Sequence, residues 1–296
     1  MKTKSAMITI CGRPNVGKST LTNYLVGEKI AIVSNKPQTT RNRICGIVTK
    51  GNTQFVFVDT PGYHRARTKL GDYMVNTVRD SIADVDATIL VVEPIASIGA
   101  QEEGLIEKIK GSKCPAILAI NKIDTIEKDK LLEVIAAYSQ AFHFDAIIPI
   151  SAKTGDGVEQ LLSVCEKYAI EGPFLFDEDL TTDQPERQVM AEIIREKLLW
   201  CLEKEIPHGT AVEITRFSER DSGVIDIDAT IYCEKSSHKG IIIGKQGAML
   251  KKISSLARQD CEKFMGTKVY LTTWVKVKEN WRDSDFLVRN FGYNDN

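Results

Sequence analysis

The stretch that most restricts what this chain can fold into is Gly12-Arg13-Pro14-Asn15-Val16-Gly17-Lys18-Ser19. It fits GxxxxGK[ST], with a strand-like run at residues 5–11 before it and a helix-like run from Thr20 to residue 26 after it. A strand that turns on two glycines into a helix is a phosphate cradle. The glycines let backbone N–H groups turn inward, and the helix start adds its positive end. Lys18 reaches the outer phosphates, and the Ser19 hydroxyl suits magnesium. With the strand-helix alternation that follows it, the loop belongs to an α/β domain with a mostly parallel sheet and the ligand expected at the carboxyl ends of its strands.

The downstream pattern agrees. Residues 43–50 and 54–58 read as two strands joined at Gly51-Asn52, and the second ends in Asp59-Thr60-Pro61-Gly62. A polar stretch from Arg65 leads into a helix reaching residue 83. The apolar run 87–92 reads as a strand covered on both faces. Helix and strand then alternate: 101–110 helical, 116–120 strand, 128–141 helical, 146–150 strand and 157–168 helical. Between residues 29 and 43 lies a polar loop too long for a simple connection, containing Thr39-Thr40.

Asn121-Lys122-Ile123-Asp124 follows a strand. An Asp there accepts from N1–H and the exocyclic amine of guanine; adenine offers an acceptor at N1 and leaves the carboxylate unpaired, so GTP is favoured over ATP. Asn121 can brace the loop and reach the base, while the Lys122 stem can lie along the purine.

At 296 residues the chain has room for two domains. A stretch at 171–186, rich in acids, Pro and Thr and without period, reads as a linker between a domain at 1–170 and one at 187–296. The second domain reads as α+β: helix at 187–202, strands at 210–217 and 224–231, a hydrophobic turn, Ile243-Gly244-Lys245-Gln246-Gly247, a helix to 264 with Lys251 and Lys252, and a late strand at 268–277. The formal net charge of -1 hides an asymmetry. Residues 233–282 hold eleven Lys+Arg against four Asp+Glu, a local +7, which leaves the remainder at -8. A local excess of this kind fits a phosphate-bearing partner. Seven cysteines without close pairs read as buried small hydrophobes in a reducing compartment. No signal peptide and no apolar run of the roughly 20 residues needed for a span is visible, so a cytosolic protein with at most peripheral membrane contact is expected.

Five motifs, Gly12 to Ser19, Thr39-Thr40, Asp59 to Gly62, Asn121 to Asp124, and Ser151-Ala152-Lys153, stand in the order and spacing of translation-factor-class GTPases, which they resemble over about 170 residues. The resemblance implies nucleotide contacts from Gly12 to Thr20, Asp59 to Tyr63, Asn121 to Asp124 and Ser151 to Lys153. It places Ser19, Asp59 and Thr40, with Thr39 as the second choice, around magnesium. It puts the Gly62 N–H at the γ-phosphate and Ala152 at the guanine oxygen. Tyr63 stands where Ras-like enzymes keep a water-orienting Gln, so slow basal hydrolysis is expected. In related GTPases an Asn at the Asn15 position holds a potassium ion; a loop-bracing role is the alternative. The catalytic set is then Lys18, Thr40, Asp59, Gly62 and Asn15.

The GxxG loop resembles that of a type II, bacterial KH domain, which clamps about four single-stranded nucleotides. Ile243 to Gly247, Lys251 and Lys252 would be its RNA contacts. Together the halves resemble the Era family of bacterial GTPases across nearly the entire chain, the tail with Trp274, Trp281-Arg282 and Phe291-Gly292-Tyr293 included. That resemblance implies a monomer using GTP/GDP and Mg2+, with K+ under the Asn15 reading. It also implies binding to the 3′ end of small-subunit ribosomal RNA during assembly of the small ribosomal subunit, and peripheral inner-membrane association. A GTP-regulated scaffold without RNA and a small-molecule P-loop kinase are the rival readings.

Overall fold

The computed structural model describes residues 2–63, 66, 68–83 and 85–293, and the chain divides into two compact units. The first comprises residues 1–31, 40–66 and 74–183, the second 32–39, 67–73 and 184–296. Of the polar stretch read from Arg65, residues 65 and 67 lie outside the described residues.

In chain order the elements are β1 (Lys4–Cys11), α1 (Lys18–Val26), β2 (Ile44–Lys50), β3 (Thr53–Asp59), α2 (Lys69–Ala83), β4 (Ala87–Val92), α3 (Ala100–Ser112), β5 (Ala116–Ile120), α4 (Lys128–Ala141), β6 (Ala146–Pro149), α5 (Val158–Cys165) and β7 (Ile170–Glu171). The first unit's sheet runs β2-β3-β1-β4-β5-β6. Strands β3, β1, β4, β5 and β6 are parallel; β2 is antiparallel to β3 because a two-residue turn at Gly51-Asn52 joins them. The helix expected to reach residue 168 stops at Cys165, and residues 166–168 tighten into a 3₁₀ turn.

The continuous apolar strands are explained by two cores, one on each face of the sheet. Alternate residues of β4 divide between them: Ile89 and Val91 join Leu21, Leu161 and Leu162 on one side, whereas Leu90 and Val92 join Ile82, Leu105 and Val134 on the other. Every residue of β4 is buried, so alternation of polarity is absent. Strand order reverses at β1, whose neighbours β3 and β4 follow it on opposite sides, and the Gly12 to Ser19 loop leaves β1 at this reversal. Open α/β sheets form their ligand crevice at such a point.

Residues 171–183 lie along the first unit. β7 pairs antiparallel with Lys4 and Ser5, the Gln54 side chain accepts from the N–H groups of Leu175 and Phe176 at 2.9 and 3.0 Å, and Asp183 accepts from Cys45 N at 3.0 Å.

The second unit contains α6 (Glu186–Cys201), β8 (Ala211–Glu219), β9 (Ile225–Cys233), α7 (Ser236–Ile243), α8 (Ala248–Met265), β10 (Val269–Val277) and α9 (Asp285–Asn290). Its sheet runs β10-β9-β8, with β9 and β10 parallel and β8 antiparallel to β9. α6, α7 and α8 cover the face formed by Ile225, Ile227, Ala229 and Ile231; Ile253, Ala257 and Cys261 form the apolar stripe that α8 contributes. The expected hydrophobic turn before GxxG is the last turn of a helix, α7. Trp281 is fully buried, donates its indole N–H to Gly209 O at 2.9 Å and meets Phe291 edge-on, tying the tail to this unit. Of the seven cysteines, Cys114 and Cys201 are only partly buried, a departure from the expectation that all are interior.

Candidate functional site

The predicted nucleotide residues converge in the first unit. Gly17 adopts φ 101°, and a Cβ there would stand 2.2 Å from the side-chain nitrogen of Asn121, so the loop admits no larger residue at this point. Lys18 is buried and donates to the carbonyls of Gly12 and Arg13 at 3.2 and 3.0 Å. Burial lowers its pKa, against the opposing pull of Asp59. Thr20 continues α1 behind Ser19, and Val16 is fully buried.

Ser19, Thr40 and Asp59 form one knot. Ser19 Oγ donates to Asp59 Oδ2 at 2.7 Å and lies 2.8 Å from Thr40 Oγ1. Burial drives the Asp59 carboxyl up to about 6, opposed by the Lys18 ammonium, and Asp59 Oδ1 is buried without a hydrogen-bond partner. An orphaned carboxylate oxygen beside two hydroxyls is a hard, oxygen-rich donor set that fits Mg2+. Thr39 faces elsewhere, its hydroxyl donating to Lys36 O at 2.6 Å. Thr60 Oγ1 donates to Ile10 O at 2.9 Å, and Tyr63 N donates to Gly12 O at 3.1 Å, so the Thr60-Pro61-Gly62 turn is fixed against the cradle. The Tyr63 ring lies beside Gly104 under the Lys108 ammonium, 5.4 Å from the ring centre.

On the base side, Asn121 is 2% exposed and spans two loops: Nδ2 donates to Val16 O at 2.7 Å, and Oδ1 accepts from Ala152 N at 2.9 Å. Of the two roles expected for Asn121, bracing is the one in which its amide is engaged. Asp124 is exposed, with one oxygen accepting from Ser151 Oγ at 2.7 Å; Ile123 opens the short 3₁₀ turn that carries it, and Lys153 is exposed. Lys122 sits at φ 64° and donates to Asn15 O at 2.7 Å.

Two carboxylates escaped sequence reasoning. Glu93 pairs with both Arg13 and Lys122, and Glu102 pairs with Arg13 at 2.9 Å. The available signal was position: Glu93 directly follows β4, where the sheet presents residues to the crevice. The two carboxylates thus both engage Arg13 of the loop.

The second unit presents the GxxG loop. Ile243 ends α7, Gly244 turns at φ 72°, Gln246 adopts φ 51° and Gly247 starts α8 at φ 79°. A Cβ on Gly244 would meet Met249 Cβ at 2.7 Å, so the loop needs glycine here. Lys245, Gln246, Lys251 and Lys252 are all exposed, an arrangement of positive charge around a tight backbone turn that suits a nucleic-acid backbone.

Comparison with known proteins agrees with both halves. Residues 7–122 match the family model described as 50S ribosome-binding GTPase, and residues 205–282 match that of the KH domain. GTPase Era of Ruminiclostridium cellulolyticum is 53% identical over 296 residues, covering 100% of this chain and 99% of the relative. GTPase Era of Clostridium kluyveri is 51% identical over 290 residues, covering 98% and 99%. Two solved structures share 37% identity at TM-score 0.94 and cover 98% of this chain and 99% of theirs: an Aquifex aeolicus Era variant bound to GDP and AlF4-, and Era in complex with MgGDPNP and nucleotides 1506–1542 of 16S ribosomal RNA. A preformed guanine-nucleotide cradle followed by a KH domain, with half the residues shared along the whole length of curated relatives, places this chain in the GTPase Era family.

Proposed function

We propose that this protein is a GTP-hydrolysing switch whose KH domain binds small-subunit ribosomal RNA near its 3′ end and which acts in assembly of the small ribosomal subunit. The observation that carries the reading is the pairing of a complete guanine-nucleotide site with an exposed, lysine-flanked GxxG loop in a chain 37% identical to an Era solved with a 16S ribosomal RNA fragment.

In this reading Lys18 neutralises the outer phosphates while backbone N–H groups of Asn15 to Ser19 cradle them, and the Gly62 N–H meets the γ-phosphate. Asp124 selects guanine, and the Ala152 N–H reaches its oxygen. Ser19, Thr40 and Asp59 would hold Mg2+, which supplies charge neutralisation across the β- and γ-phosphates. The geometry favours Thr40 over Thr39, whose hydroxyl is turned into its own loop. With Tyr63 in place of a Gln, water is oriented by backbone, a metal or a partner, so unassisted turnover is slow, on the order of the ~10⁻⁴ s⁻¹ of Ras alone. Asn15 is exposed on the cradle and holds K+ near the phosphates; equal turnover in sodium and potassium buffers would sink that assignment.

On the RNA side Ile243 to Gly247 grip the backbone of single-stranded nucleotides, and Lys251 and Lys252 add phosphate contacts. The protein acts as a cytoplasmic monomer with peripheral contact at the inner membrane; among the described residues no helix is long and apolar enough to cross a membrane. Crosslinking the protein to RNA in cells and sequencing the attached fragments tests the reading. Enrichment of the 3′ end of small-subunit ribosomal RNA is expected, and its absence overturns the RNA assignment.

A further inference from the structure

In the first unit's sheet β4 lies between β1 and β5, so the residue that follows β4 stands between the loop leaving β1 and the loop leaving β5. The approach is close on both sides. A Cβ on Gly12 would lie 2.4 Å from Val91 O, and Asn121 N donates to Val92 O at 2.8 Å. The side chain at this junction is Glu93, and its carboxylate is shared: Oε2 accepts from Arg13 Nη2, on the β1 loop, and Oε1 accepts from Lys122 Nζ, on the β5 loop, at 2.5 Å. Lys122 in turn donates to Asn15 O at 2.7 Å, which closes a ring of contacts through both loops. All of these residues belong to the first unit.

Neutralising Arg13 does not require Glu93. Glu102, in the first turn of α3, already pairs with Arg13 Nε at 2.9 Å, and its side chain is only 7% exposed. Nor does stability call for it, because the Glu93 and Lys122 side chains are 25% and 36% exposed and pairs so open to water contribute little. What Glu93 adds over Glu102 is a hold on Lys122. Arg13 and Lys122, two cations in a phosphate-type loop and its neighbour, are thereby matched by two carboxylates, so the four charges sum to zero.

We infer that Glu93 is a positioning residue for the guanine nucleotide. It ties the loop that cradles the phosphates to the loop that reads the base, and fixes the Lys122 ammonium so that the stem behind it lies along the purine. Glu suits the position because its two oxygens accept from two cations at once; a Gln would set its amide N–H groups against one of them. This inference rests on the proposed nucleotide role of Lys122, and the test separates the two.

Release of fluorescent GDP and of fluorescent GDPNP is timed by stopped flow on the full chain with Mg2+. Glu93→Ala is expected to speed release of both about tenfold, as for loss of one hydrogen bond between charged groups. Glu93→Gln, which keeps the shape and one acceptor, falls between at about threefold. Glu102→Gln leaves Lys122 held and stays within about twofold, although Glu102 is the more buried of the two carboxylates; a purely structural role reverses that ranking. In a Lys122→Met background, Glu93→Ala adds less than about twofold, because its effect runs through Lys122. Unchanged release in both Glu93 variants, an effect confined to GDPNP, equal or greater acceleration by Glu102→Gln, or full multiplication of the Glu93→Ala and Lys122→Met effects overturns the positioning role. Lys122→Met alone tests the assignment beneath it: if release keeps its original rate, Lys122 does not hold the nucleotide and the bridge fails with it; if release quickens and neither Glu93 variant does the same, only the role of Glu93 fails.

Discussion

The Gly12 to Ser19 loop and the GxxG loop are both glycine-rich turns that lead into a helix, yet they are built in opposite ways. The cradle is braced from behind: Asn121, Thr60 and the Tyr63 N–H each spend hydrogen bonds on its neighbouring backbone, and Lys18 is buried. The GxxG loop has its glycine conformations and a backbone turn closed by Gly247 N on Gly244 O at 3.1 Å, while its lysines stand in solvent. A buried, preorganised site can discriminate between ligands by leaving wrong ones unpaired; an exposed basic loop gains affinity from counterion release and gives it up as salt rises.

The largest effect that would sharpen this contrast is a change of base preference. Asp124→Asn replaces an acceptor by a group that can donate, so GTP affinity should fall by two or more orders of magnitude while XTP, with a carbonyl in place of the exocyclic amine, gains. Unchanged selectivity in nucleotide competition would mean that Asp124 does not read the base. Next comes Asn121→Ala, which strands Val16 O and Ala152 N; GTP and GDP should weaken together, and stability should fall by about 1–3 kcal/mol, measured by thermal unfolding. A loss confined to GTP would break the idea of a common brace.

On the exposed side, Gly244→Ala should abolish RNA binding through its clash with Met249 while GTP turnover in the absence of RNA stays at the starting level. Lys251→Gln should lower RNA affinity for all sequences alike and reduce the slope of log affinity against log salt by about 1. A slope unchanged by the substitution would remove Lys251 from the interface. The smallest effect concerns thiols. Burial pushes Cys11, Cys45 and Cys165 up to about 12, so at pH 8 only about one in 10⁴ is thiolate and the side chains are covered. Mass spectrometry after brief alkylation should find these three unmodified and label concentrated on Cys114 and Cys201.

Sequence reasoning reached the glycine-rich loop, the succession of strands and helices and the mostly parallel sheet because each depends on local spacing or on apolar runs. It failed where partners are distant. Arg195, Glu196 and Lys197 look like the solvated face of an amphipathic helix, and only the folded chain shows that Glu196 meets Val33 across 163 positions. Glu93 and Glu102 were missed for a related reason: their partner Arg13 lies about 80 and 90 positions earlier, and the position of Glu93 after a strand does not by itself name a partner. At residues 171–183 the composition is that of a connector, yet the Gln54 side chain and Asp183 supply long-range hydrogen bonds that no local pattern encodes.

The short strand β7 bears on synthesis. β1 is made first but lies inside its sheet, and Lys4 and Ser5 find their β7 neighbours only at Glu171 and Ile170; Thr3 Oγ1 then donates to Gly172 O at 2.7 Å. A nascent chain leaving the ribosome therefore cannot complete the first unit's hydrogen-bond ladder until some 170 residues have emerged, because the earliest segment waits for one of the latest. The same clasp sets the beginning and end of the unit side by side, the arrangement that tolerates relocated chain ends best.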